Sequence, residues 1–118
     1  MTLPSKELLS EILGLEIQYF ETDIKKINNY INSTIKEGYI AYFNVEWKYI
    51  NIHELTQKCK QWIYDKGFGL FISIEHPAYT LTIELSLSGK SIYIDDESNT
   101  EPEAIFKTCE WLLKETNK

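Results

Sequence analysis

Two cysteines, two histidines, an acidic run and the serines Ser86, Ser88 and Ser91 are the groups in this chain that could hold a metal or carry a nucleophile. Cys59 and Cys109 lack the close spacing of a structural zinc site, and His53 and His76 belong to different predicted elements. Both histidines are expected in solvent, His53 in the first turn of a helix and His76 before a proline in a turn. Each cysteine falls on the apolar face of a predicted helix, so packing is favoured over a disulfide. Asp95, Asp96, Glu97 and Asn99 resemble the start of a calcium loop, but its sixth position carries no glycine and its twelfth, Phe106, is not a carboxylate. A solvated segment leading into a helix is the better reading. The serines lack the strand-to-helix elbow that presents a catalytic hydroxyl. Glu75 and Glu84 could face each other across a hairpin, but pairs of this kind are common in so acidic a chain. Gly14, Gly38, Gly67, Gly69 and Gly89 are too scattered to cradle a phosphate. No catalytic residue, metal or cofactor is therefore expected, and an enzyme is disfavoured.

Composition narrows the partners. The 118 residues carry 18 acidic and 12 basic side chains, a net charge of −6, and every basic residue is lysine. Duplex nucleic acid needs clustered cations and guanidinium forks, so it is an unsuitable partner. At 43% hydrophobic and 14% aromatic, the chain can bury a core. No apolar run is long enough to span a bilayer, and Met1 to Leu15 mixes charges among its leucines, unlike a signal peptide. A cytoplasmic protein forming a single domain over residues 1–118 is expected.

The elements that must position any site follow from capping residues and hydrophobic period. Ser5 starts a short helix that Gly14 ends, with Leu8, Leu9, Ile12 and Leu13 on one stripe. Residues 15–20 read as a weak strand or a linker. Thr22 or Asp23 caps a second helix in which Ile24, Ile27, Ile31 and Ile35 recur, ending at Gly38. Tyr39 to Ile50 alternates strictly and predicts one long strand, or a strand with a bulge near Asn44. Asn51 with Glu54 opens a helix through Lys66 that Gly67 closes. Phe68 to Ile74, Tyr79 to Leu87 and Ser91 to Ile94 then read as an antiparallel meander, with a turn at Glu75, His76 and Pro77. Asp95 to Asn99 is polar punctuation, and Thr100 with Glu103 caps a last helix that bears Pro102 in its first turn. The fold class is α+β: an antiparallel sheet of three or four strands packed with helices, sandwich-like.

Surface character supplies the candidate contacts. Tyr39, Tyr42, Phe43, Trp47 and Tyr49 crowd one segment that Glu16 and Glu46 could rim. Most of these rings are expected in the core, and the sharper alternative exposes the face bearing Ile40, Tyr42 and Ile50, with Tyr42 as the anchor. Asp95, Asp96, Glu97, Glu101 and Glu103 form a second candidate, an acidic patch suited to a basic protein.

The helix from Asn51 to Gly67, the stretch Phe68 to Leu87 and above all Thr100-Glu101-Pro102-Glu103-Ala104-Ile105-Phe106-Lys107 resemble the phage ABA sandwich domain. Glu7-Leu8-Leu9-Ser10-Glu11-Ile12-Leu13-Gly14 is similar to its opening helix. The resemblance spans about Leu8 to Lys114 and is poorest between Gly14 and Ile50. It implies a sheet sandwiched by helices and a phage or prophage origin, and it carries no catalytic residue. The function expected is an accessory protein that acts by binding, most concretely inhibiting a host defence component through protein contacts. The alternatives are a protein that sequesters a nucleotide signal and a phage assembly protein; the oligomeric state is left open.

Overall fold

Helices begin and end where the capping residues stand. The computed structural model describes residues 3–31, 34–75, 80–98 and 100–116, with backbone alone for 74, 75, 80 and 95–97. Helix α1 (Lys6–Leu13) is capped by the Ser5 hydroxyl, which accepts the Leu8 N–H at 3.1 Å, and closes at Gly14 in the left-handed conformation that a side chain would resist. In α3 (Ile52–Asp65) the Asn51 side chain accepts the His53 N–H at 2.8 Å. In α4 (Glu101–Thr116) the Thr100 hydroxyl accepts the Glu103 N–H at 3.4 Å. Between α1 and α3 lie β1 (Tyr19–Glu21), α2 (Ile24–Ile31), β2 (Tyr39–Phe43) and β3 (Trp47–Asn51). After α3 come β4 (Gly69–Glu75), β5 (Thr80–Leu87) and β6 (Lys90–Ser98). His76, Pro77 and Tyr79, expected in a turn and a strand start, lie outside the described residues, as does Asn99.

Helix α2 is shorter than its isoleucine spacing predicts. Asp23 caps it, accepting the Lys25 N–H at 2.9 Å, but Ile35 is not part of the stripe. Instead the Asn28 amide clamps the Ile35 backbone, donating to its carbonyl at 3.2 Å and accepting its N–H at 2.7 Å. A side chain that satisfies both backbone groups replaces the helical partners that Ile35 would otherwise need.

The residues 39–50 do not form one strand. They fold back at 44–46 into a hairpin, β2 against β3, with Phe43 opposite Trp47 and Tyr39 opposite Asn51. The loop is tied down by the Asn44 side chain, which donates to the Glu16 carbonyl. An odd-length loop preserves parity, so the alternation runs through the turn unbroken and conceals it. With β1 the pair makes a three-stranded antiparallel sheet in the order β1-β2-β3. Its even-numbered face carries Ile40, Tyr42 and Ile50 into the same buried cluster as Leu8, Leu9 and Leu55. Helix α2 covers the odd-numbered face, where Ile27 and Ala41 are both fully buried.

The predicted meander is present as a second three-stranded antiparallel sheet, β4-β5-β6. Leu70 stands opposite Leu85 and Leu85 opposite Ile92, while Ile83 stands opposite Ile94. This apolar face packs on α3 and α4, burying Leu81, Ile83, Leu85 and Ile94 with Ile105, Phe106, Cys109 and Leu112. Strand β6 does not stop at Ile94. Leu81 pairs with Ser98 and Ile83 with Ile94, so Asp95, Asp96 and Glu97 stand opposite Thr82 alone, in a bulge. Backbone pairing needs no apolar side chain, and a bulge takes up the extra residues. The class is α+β, with helices packed on antiparallel sheets; the strands divide into two sheets because the 39–50 segment pairs with itself and β1.

Candidate binding surface

The groups with chemical potential are mostly occupied by structure. Both cysteines are free and fully buried, and the Cys109 Sγ–H donates to the Cys59 carbonyl at 3.7 Å. The Cys59 side chain, then burial, pushes the Cys109 thiol well above its ordinary ionisation range, which keeps it protonated and unreactive. His53 is exposed on the first turn of α3, and His76 lies outside the described residues. Among the described residues no group of three or more His, Cys, Asp or Glu is placed to hold a metal ion. Glu75 and Glu84 are not cross-strand partners. The register sets Glu75 opposite Thr80 and Glu84 opposite Phe71, about 13 Å apart along the ladder at the usual strand rise.

Tyr42 is not an exposed anchor: it retains 9% of its surface, because the even-numbered face of the first sheet looks inward. Burial, followed by the Glu54 carboxylate, holds its hydroxyl above the ordinary tyrosine ionisation range. Exposed Tyr19 and Tyr30 and half-buried Phe43 and Trp47 gather instead at the hairpin end of that sheet. Tyr19 and Phe43 lie 6.2 Å apart between ring centroids, Phe43 and Trp47 5.4 Å, and Tyr30 of α2 stacks on Trp47 at 4.5 Å. Glu46, at the hairpin loop, is exposed beside this group with its carboxylate 4.0 Å from the Lys48 ammonium.

The acidic candidate is divided by its own partners. Asp95, Asp96 and Glu97 sit in the β6 bulge, whereas Glu101 pairs with Lys60 of α3 and Glu103 with Lys107 at 3.5 Å, one turn on in α4. Glu101 and Glu103 therefore tie α4 to α3 and to itself, and they also complement the positive end of the helix.

The surface that sequence reasoning missed is the outer face of the second sheet. Phe71, Glu84 and Tyr93 occupy one cross-strand row, Phe71 opposite Glu84 and Glu84 opposite Tyr93. Phe71 is 59% and Tyr93 70% exposed, while Glu84 between them is half-buried and, among the described residues, has no hydrogen-bond or ion-pair partner. The row on one side carries Gly69, Ser86 and Ser91, and the row on the other carries Ser73 and Thr82, which faces the β6 bulge. A signal was present: Leu70-Phe71-Ile72 and Ile92-Tyr93-Ile94 break the alternation of a sheet with one wet face, which places an aromatic ring on the polar side of each edge strand.

A further groove of about 380 Å³ runs between the start of α1 and the end of α4, lined by Ser5, Glu7, Glu110, Leu113 and Lys114. Its floor is braced by the Ser5 N–H, which donates to Glu110 Oε1 at 2.8 Å. No helix among the described residues is long and apolar enough to cross a membrane. No family model, curated protein or solved structure matches the chain.

Proposed function

We propose that this chain acts by binding a protein rather than by catalysis, as a phage- or prophage-type accessory that inhibits a component of its bacterial host in the cytoplasm. The observation that carries the reading is the outer face of β4-β5-β6, where two large aromatic side chains stand in solvent on either side of a carboxylate. Aromatic anchors supply most of the energy of protein interfaces, and an exposed pair fixed on strands costs little entropy to dock. The charge of −6 favours a basic partner and hastens encounter with it. The resemblance to the phage ABA sandwich domain, through Thr100 to Lys107, supports the source.

The groove between α1 and α4 supports a second reading, a small-molecule binder, since its volume lies in the range of ligand pockets. Two carboxylates and one lysine line it, so a cationic or neutral ligand suits it better than a nucleotide. The test is purification of the tagged protein from a bacterial host, with mass spectrometry of bound proteins and released small molecules. A stoichiometric protein that is captured by the wild type and lost with Phe71→Ser/Tyr93→Ser is the expected result. Capture unaffected by that double substitution, a released small molecule without a protein, or a defined oligomer with no partner would each overturn it.

A further inference from the structure

We propose that the row Phe71, Glu84 and Tyr93 is a receptor for a single cationic side chain of a protein partner, arginine before lysine. The inference rests on the reading of this face as the binding surface and names what it recognises. Adjacent strands lie about 4.8 Å apart, so the two aromatic residues are set about 9.6 Å apart on either side of Glu84. Side chains stand roughly upright from a sheet and lean along the strand. Phe71 shows this lean: its Cε2 comes within 3.6 Å of where a Cβ would stand on Gly69, so the ring lies along its own strand. A planar group in van der Waals contact with a ring on each side needs about 7 to 8 Å between the rings, within reach of two side chains rooted about 9.6 Å apart.

Charge selects the occupant. Ring faces are negative and attract a cation, and a guanidinium can stack on both rings while its N–H groups reach the carboxylate below. Glu84 has no partner of its own among the described residues, and the register places no lysine on this face of the described sheet, so nothing there competes for the site. A nucleobase would also stack on the rings, but its phosphates would meet Glu84 in a chain of charge −6. A second copy of the chain would bring Glu84 toward Glu84 and has no arginine to offer.

The test is a titration of the folded protein, followed by NMR of backbone amides and aromatic protons. The probe is an uncharged glycine peptide bearing one central arginine, compared with the same peptide bearing citrulline, which keeps the shape and loses the charge. Saturable shifts confined to the rows around residues 71, 84 and 93, reached at millimolar arginine peptide and absent with citrulline, are expected. Glu84→Gln should weaken binding about threefold, and Phe71→Ser/Tyr93→Ser should abolish it. Equal response to citrulline, shifts centred elsewhere, or tighter binding of oligouridylate at the same row would overturn the proposal. Self-association through this face in place of peptide binding would do the same. If the arginine peptide fails while the double substitution still abolishes protein capture, cation recognition falls and the binding surface stands.

Discussion

The Cys109 sulfur lies 3.7 Å from the Cys59 carbonyl oxygen, so the two cysteines join α4 to α3 through the centre of the core rather than through a disulfide. Both thiols should resist an aromatic disulfide reagent in the native protein at pH 8 and react completely once denaturant is added. Fast reaction of either thiol before unfolding would contradict this packing.

Alkaline pH tests the same pair. The Cys109 thiol is held above its ordinary value of 9.0 in the folded state, so its protonated form stabilises the fold fully below pH 9. Above that the unfolded chain ionises and the folded one does not, and stability falls as pH rises; Tyr42, also raised, adds to the fall above its ordinary 10.0. The melting temperature should decline between pH 9 and 10.5, and the decline should be shallower in Cys109→Ala. Equal slopes would show that the thiol is not the group responsible.

Glu101 and Lys60 hold the start of α4 against α3. Reversal in Glu101→Lys removes a partly exposed ion pair and opposes the helix dipole, a loss of about 1 kcal/mol in urea unfolding. The double reversal Lys60→Glu/Glu101→Lys should recover part of it. Full additivity of the two single changes would show the pair to be uncoupled.

Two buried side chains report separately on the odd-numbered face of the first sheet and on the main core. Phe106→Ala should cost about 3 to 5 kcal/mol and Ile27→Ala about 2 to 4 kcal/mol, since both residues are fully buried. Hydrogen exchange should further separate them, Ile27→Ala loosening α2 and β2 before the second sheet.

Buried and exposed aromatic residues should behave oppositely. Tyr42→Ala should cost about 3 kcal/mol or more, whereas Phe71→Ser and Tyr93→Ser should each change stability by no more than about 0.5 kcal/mol. A loss of binding in the latter pair is then a loss of contact, not of fold.

Local chemistry was legible in the chain itself. Ser5, Asn51 and Thr100 cap the helices where their hydroxyl and amide groups stand, Gly14 closes α1, and the meander of β4, β5 and β6 follows from short alternating runs with short connections. Each of these depends on residues within a few positions of one another. Where the 39–50 segment turns, and which of its faces is wet, depends on β1, α1, α2 and α3, which lie elsewhere in the chain. A period of two marks two faces without saying which one another element will cover. Tyr42 is buried because its face meets the cluster of Leu8, Leu9 and Leu55, and Phe71 and Tyr93 are exposed because α3 and α4 pack on the opposite face of their sheet. The candidate site was therefore set by tertiary packing: three strands brought two aromatic residues and one carboxylate into a single row that no spacing along the chain could have displayed.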